Sequence, residues 1–271
     1  MDPTDTNEIS DQLEQTEQGE ELSHSDKMIG IFTEPTKTFE HTAKFPPRNK
    51  DWVIPLVIFF FIVSVIRMVS MMNEEVFFEA KQKQIESIEK MVEGGTLTRD
   101  DGDAAIERID EQMEFMQGPV GWVITIASTL IFGFIIFFII VGIYFMFIKL
   151  LLKGEGGYAS ALVANGLTAY ISIVQYIVVG ILTMAFGALV NDTSLAALMG
   201  TDRATIAGFL LAKVDPLSIW AYCVLSIGLA KMFKAQSTGK YYVLVFGLWI
   251  LGGLLLFLVA QAVPFLSFLA Q

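Results

Sequence analysis

The stretch "WVIPLVIFFFIVSVIRMVSMM", Trp52–Met72, decides the fold of this chain. Arg67 is its only charged residue. A helix needs about 20 consecutive apolar residues to cross the hydrocarbon core of a bilayer, and this run supplies them. Pro55 lies in the first turn, where a missing backbone N–H costs little. The stretch therefore predicts a transmembrane helix.

Four further apolar runs follow the first one. With it they predict five spans, at about 52–72, 120–150, 160–190, 216–233 and 241–264. The second run is longer than the roughly 30 Å core, so that helix should tilt or protrude. Asp215 precedes Pro216 and is expected to cap the fourth span. The predicted fold is all-α: a polytopic membrane helical bundle with five transmembrane helices.

The acidic residues are confined mainly to two polar segments. Residues 1–51 hold 12 of the 29 acids and residues 73–118 hold 13, so the net charge of −11 belongs to these segments. Residues 1–27 are predicted to be a disordered acidic cytoplasmic tail, since they cannot bury enough apolar surface. Because these residues are acidic and contain no apolar run, no cleavable signal peptide is expected. Because the chain lacks a basic surface, nucleic acid is not expected as a partner.

The distribution of Lys and Arg predicts the topology. Short loops on one side carry the basic residues, and the loop "KMFKAQSTGK", residues 231–240, contains no acid at all. Short basic loops remain in the cytoplasm. We therefore expect a multi-pass protein of the cell (inner) membrane, with the N-terminus cytoplasmic and the C-terminus outside.

The acidic loop 73–118 is predicted to form an external helical hairpin. Its first half carries apolar residues at helical spacing and ends at Gly94-Gly95, a typical helix terminus. In its second half Ile106, Ile109, Met113 and Met116 share one face, and Thr98 could cap that helix. Such a hairpin could lie on the membrane surface, or it could project as a partner-binding finger.

The segment "GIFTEPTKTFEHTAKFPP", Gly30–Pro47, predicts a short interfacial helix before the first span. Pro35 favours the first helical position, and Pro46-Pro47 prevents continuation. We expect this helix to lie on the cytoplasmic face of the bilayer, with apolar side chains in the interface and basic ones at anionic headgroups. These candidate anchors are Phe32, Phe39, Phe45, Lys37 and Lys44.

Catalytic chemistry has little support in the sequence. The two histidines lie outside the predicted spans, Cys223 is the single cysteine, and no phosphate-binding loop is present. No enzyme activity, catalytic residue, cofactor or metal is predicted.

Polar residues inside the predicted spans are the remaining candidate sites. Arg67 is the one charge within a span; it is either functional or able to extend its charged group to the nearby headgroups. Asn165, Thr168, Ser172 and Gln175 share one face of the third span. They indicate either interhelical hydrogen bonds or a polar pathway.

Two of these stretches resemble the Yip-domain family in its bacterial form. "GIFTEPTKTFEHTAKFPP" is similar to the entry motif, and "VDPLSIWAYCVLSIGLAKMFKAQSTGK" is similar to the fourth span, with Asp215-Pro216, Trp220 and Gly228-Leu229 in place. The resemblance covers residues 28 to about 260, so residues 28–271 are assigned to one Yip-like membrane domain. It implies five spans and a cytoplasmic N-terminus, and it supplies no catalytic residues. Eukaryotic relatives act at Golgi and ER membranes with Rab-type GTPases, and nothing in the acidic tail indicates that role here.

The functional expectation is therefore a non-enzymatic multi-pass membrane protein that scaffolds or organises the membrane or other membrane proteins. Its expected partners are the lipid bilayer and an unknown membrane protein or a second copy of the chain. The alternative is a small-solute or ion transporter or channel that uses the polar face of the third span.

Overall fold

The computed structural model describes residues 20–262, and this part of the chain is all-α. The predicted tail up to residue 19, and the predicted end of the fifth span at 263–264, lie outside the described residues. Twelve α-helices are numbered in chain order: α1 His24–Thr33, α2 Pro35–Thr42, α3 Lys50–Ser70, α4 Glu74–Glu93, α5 Arg99–Gln117, α6 Pro119–Phe147, α7 Tyr158–Phe186, α8 Leu195–Leu198, α9 Ile206–Ala212, α10 Pro216–Met232, α11 Gly239–Gly247 and α12 Gly253–Ala262.

Four helical segments are long and apolar enough to cross a membrane. They are Lys50–Ser70, Pro119–Leu152, Tyr158–Phe186 and Gly239–Gln261. The second and the last each include a π-helical turn, at Ile148–Leu152 and Leu248–Gly252. A fifth crossing is possible only if α9 and α10 are counted together, because α10 alone has 17 residues and the two helices meet at 61°. The multi-pass bundle predicted from the sequence is thus present, and in place of a straight fourth span it has a pair of helices, α9 and α10, that is bent at a break.

The third span, α7, is the centre of the bundle. It packs along α3 on one side and along α10 on another, while α6 packs mainly on α3. Close approach to α3 requires glycine at two places. A Cβ at Gly180 would lie 2.9 Å from Cγ2 of Ile66, and a Cβ at Gly166 would overlap the backbone of Trp52. Helices α3 and α7 therefore run side by side in the same direction.

The N-terminal segment forms two docked helices rather than one interfacial helix. Ser23 caps α1 through a capping box with Asp26, so helix begins inside the segment predicted to be a tail. Pro35 then opens α2 at its expected position. Helix α1 packs on α7, and α2 packs on α10. We call the end of the bundle that carries these helices the N-terminal face.

The loop 73–118 forms the predicted helical hairpin at the opposite end, which we call the hairpin face. Thr98 caps α5 as expected, and the turn residue with positive φ is Gly95. The Glu79 carboxylate accepts a hydrogen bond of 2.7 Å from the Leu189 N–H and so ties α4 to the end of α7. Burial of Glu79 raises its pKa, but hydrogen bonds from Lys83 and Leu189 and the charge of Lys83 outweigh this effect and hold the pKa below its ordinary value.

Candidate functional site: a polar centre at a helix break

The break between α9 and α10 carries a buried carboxylate, Asp215. Its side chain is 1% exposed, and it caps α10 by accepting from the N–H groups of Leu217 and Ser218. The sequence predicted this cap. Its depth was not predicted, because the sequence placed Asp215 at the outer end of a full-length span.

Three side chains complete the shell around Asp215. Gln175 Nε2 donates to Oδ2 over 2.7 Å, Ser218 Oγ donates to Oδ2 over 3.0 Å, and Thr193 Oγ1 donates to Oδ1 over 2.6 Å. Gln175 Nε2 also donates to Ser218 Oγ over 2.9 Å. Five donor groups thus converge on one carboxylate, which is the way in which a buried charge can be satisfied inside a protein.

The register of the helices places this centre deep in the bundle. Helix α3 has 21 residues, and at 1.5 Å per residue its length of about 32 Å matches the hydrocarbon core. Because α3 and α7 run in parallel with Trp52 beside Gly166 and Ile66 beside Gly180, Gln175 lies level with the middle of α3. Asp215 is bound to Gln175, so the break of the fourth helix lies near mid-depth.

The segment between α7 and α10 fills the half of the bundle that α10 leaves open. Helix α8 returns to the break through a hydrogen bond of 3.0 Å from the Leu195 N–H to the carbonyl of Val214. Helix α9 packs on the fifth span, where Phe209 and Phe257 lie 5.2 Å apart between ring centroids. Irregular backbone at membrane depth is stable only where protein covers it, and these contacts provide that cover.

All four residues of the predicted polar face line one cavity of about 350 Å³. Its other walls are aromatic and aliphatic side chains of α3, α6 and α10, among them Phe60, Phe137 and Tyr222. Helices α6 and α10 flank α7 without packing closely on each other, and the cavity occupies the space between them. The volume is within the range of small-molecule sites.

The four polar residues differ in what they bind. Asn165 and Thr168 donate to the carbonyls of Ala161 and Ala164 in their own helix, over 2.9 and 2.8 Å. Gln175 alone makes the interhelical bonds, to α10. Since the amide nitrogens of Asn165 and Gln175 donate within the protein, their side-chain oxygens remain as acceptors on the polar wall.

A second polar cluster, which sequence reasoning missed, holds the N-terminal helices in place. Lys27 Nζ lies 2.6 Å from Asp51 Oδ2, and both side chains are 1% exposed. His24 bridges Asp51 Oδ1 at 3.0 Å and the hydroxyl of Tyr170 at 2.7 Å. Glu21 pairs with Lys27 at 3.0 Å and also with Arg48. The sequence offered one signal of this cluster, an Asp immediately before the first span.

The candidate interfacial anchors occupy different environments. Phe39 is completely buried, with its ring against Gly228 of α10, so protein rather than lipid surrounds it. Phe32 packs on Trp220 with centroids 5.7 Å apart, and Phe45 packs on His41 at 5.4 Å. Lys37 and Lys44 are exposed, and Lys37 pairs with Glu34 at 2.7 Å. The expected burial of Phe39 in the bilayer interface does not occur, because Gly228 opens a slot for the ring.

Arg67 lies at the hairpin face and lines a separate cavity of about 180 Å³ beneath the hairpin. It is exposed, so its position near the end of α3 is compatible with contact to headgroups. Arg67 is not among the residues that line the 350 Å³ cavity beside α7.

The family model of the Yip1 domain matches residues 29–260, which include the second half of α1, all of α2, the bent pair α9 and α10, and most of the last span. No curated protein and no solved structure matches the chain. The matched region contains Gly228 and Asp215, whose structural roles are the slot for Phe39 and the cap at the break.

Proposed function

We propose that the chain, which belongs to the Yip1 domain family, is a non-enzymatic multi-pass membrane protein that organises other membrane proteins from its N-terminal face. The supporting observation is the way in which α1 and α2 are held. A fully buried aromatic ring, Phe39, fixes α2 on α10, and the buried ion pair Lys27–Asp51 fixes α1 on α3, so the two helices form a rigid platform rather than a lipid anchor. The predicted topology places this platform in the cytoplasm.

The exposed surface of the platform suits a protein partner. Lys37 and Glu40 of α2 are exposed and of opposite charge, and Ile29 of α1 is 56% exposed. Charged rims around a few apolar contacts are typical of transient protein interfaces. The Glu20 carbonyl lies 2.9 Å from Nε2 of His41 on α2, so the described residues begin beside this surface.

A photocrosslinking residue at position 37 tests the proposal in native membranes. The expected result is capture of discrete membrane proteins, and the capture should disappear when Gly228→Val expels Phe39 and undocks α2. A crosslinker at Val123, which is 67% exposed on α6, is the matched control and should be unaffected by Gly228→Val. Capture at position 37 that persists in the undocked variant would contradict the proposal.

The acidic tail is tested by a deletion that leaves the platform intact. Removal of residues 2–19 spares Glu21, His24 and Lys27, whereas removal of residues 1–27 would also destroy the buried cluster. If the tail selects partners, the shorter deletion should change the captured set without changing the stability of the platform.

A second candidate, a transporter or channel for a small solute or ion, is favoured by the broken helix. A helix broken near mid-depth beside a cavity with a polar wall is a feature that transporters share. Ser172 is the best probe, because its side chain makes no hydrogen bond in the part of the chain that the structure describes. In a Cys223→Ala background, reaction of Ser172→Cys and of cysteines at 165, 168 and 175 with a membrane-impermeant thiol reagent would favour a pathway. Absence of reaction at all four would exclude an open aqueous route.

A further inference from the structure

The cavity beneath the hairpin is lined by five of the 12 methionines of the chain. They come from two places: Met68, Met71 and Met72 at the end of α3, and Met113 and Met116 on α5. Met113 and Met116 are three residues apart and share one face of α5, whereas Met71 caps the C-terminus of α3 and Met72 follows it in the turn before α4. Methionines of two separate segments therefore meet at a single cavity.

We propose that this cavity binds one soft monovalent metal cation, Cu(I) or Ag(I), through the methionine thioethers. Thioethers are soft ligands that select Cu(I) over the hard divalent cations. Groups of three or more His, Cys, Asp or Glu side chains that could hold a metal ion do not occur among residues 20–262. The thioethers are a separate class of donor, and the described residues that line the cavity include no carboxylate.

The charges around the cavity favour a monovalent cation. Residues 73–118 carry 13 acids and five basic residues, so the hairpin has a net charge of −8 and attracts cations to its surface. Arg67 lines the cavity itself and repels any cation that enters. This repulsion doubles for a divalent ion, whereas a soft monovalent ion is compensated by bonds to sulfur.

Some features of the cavity would also be found in a hydrophobic core built from methionines. Phe77 and Trp122 line the same cavity, and sulfur–aromatic contacts alone stabilise methionine-rich cores. Only Met113 is buried, while Met72 is 67% exposed and Met116 is 41% exposed. Exposed thioethers contribute little to a core and remain accessible to an ion.

The test is a titration of the full-length protein in detergent with Ag(I), which mimics Cu(I) and needs no reductant. Cys223→Ser is used throughout, because a thiol would bind silver by itself. Protein labelled with ¹³C at the methionine methyl groups should show saturable shifts, at one equivalent, in the signals of the five cavity methionines. Met91, which lies on α4 and does not line the cavity, should not shift.

Substitutions separate a metal site from a packing cluster. Met71→Leu/Met113→Leu keeps the side-chain volume nearly constant and should weaken Ag(I) binding by tenfold or more. Met91→Leu is the matched control and should leave binding unchanged. Arg67→Gln should strengthen binding, which a packing role does not predict. The proposal is overturned if Ag(I) binds the double variant as tightly as the parent, or if the methyl signals shift without saturation.

Discussion

The buried pair Lys27–Asp51 gives the sharpest prediction about stability. Lys27→Met removes the 2.6 Å partner of Asp51 and leaves a carboxylate that is 1% exposed. Breaking a buried pair from one side costs about 3–5 kcal/mol, because the remaining charge is uncompensated. His24 still contacts Asp51, and Arg48 still contacts Glu21, so we expect the lower end, about 3 kcal/mol.

The assay is hydrogen–deuterium exchange of the α1 amides in nanodiscs, since the pair holds α1 to the bundle. A loss of about 3 kcal/mol corresponds to roughly a hundredfold faster exchange in α1. The matched control is Lys37→Met, because Lys37 is 77% exposed and pairs only with an exposed Glu34. An exposed pair contributes about 0–1 kcal/mol, so α1 should exchange almost normally in this control. The reasoning fails if both variants change α1 exchange equally.

Three further variants test the slot, the hairpin and the helix break. Gly228→Ala should destabilise the docking of α2 by about 1–3 kcal/mol, because the new Cβ would lie 2.7 Å from the Phe39 ring. The smaller side chain of Phe39→Leu should restore part of this loss in the same background. Hydrogen–deuterium exchange of the α2 amides measures both effects. Glu79→Gln should lower the unfolding temperature at neutral pH, because the pKa of Glu79 is lowered in the folded state. This contribution is lost as the pH falls through the folded-state pKa, so the two proteins should converge in acid, and a difference independent of pH would contradict the prediction. Gln175→Leu should lower the free energy of unfolding in detergent by about 1–3 kcal/mol, because Asp215 loses a hydrogen-bond donor. The control Thr168→Val breaks only a hydrogen bond within α7 and should lower it by less.

The bundle and the hairpin could be predicted because their signals are local. Apolar runs of about 20 residues, the Thr98 cap and the Gly turn each depend on neighbours within one or two helical turns. The common face of Asn165, Thr168, Ser172 and Gln175 also follows from helical spacing alone, and the structure shows all four on one cavity.

The N-terminal platform could not be predicted because its contacts are distant in sequence. Phe39 and Gly228 are far apart in the chain, and a lone Phe on an amphipathic helix indicates lipid as readily as protein. Lys27 and Asp51 lie in strongly charged surroundings, where most charges are solvated. Hydropathy likewise reports how apolar a segment is and not its depth, so it could not place Asp215 near mid-depth.

The helix break depends on the two oxygens of Asp215. Every group that surrounds them donates: two backbone N–H groups, two hydroxyls and one amide. An Asn in this place could cap α10 equally well at a water-exposed helix end. Here it would turn its own N–H donors toward Gln175 or Thr193 and leave buried donors unpaired, which costs about 1–3 kcal/mol for each group. A carboxylate can accept from all five of these donors at once, and its partners on α7 and on the segment before α8 allow α10 to begin near mid-depth.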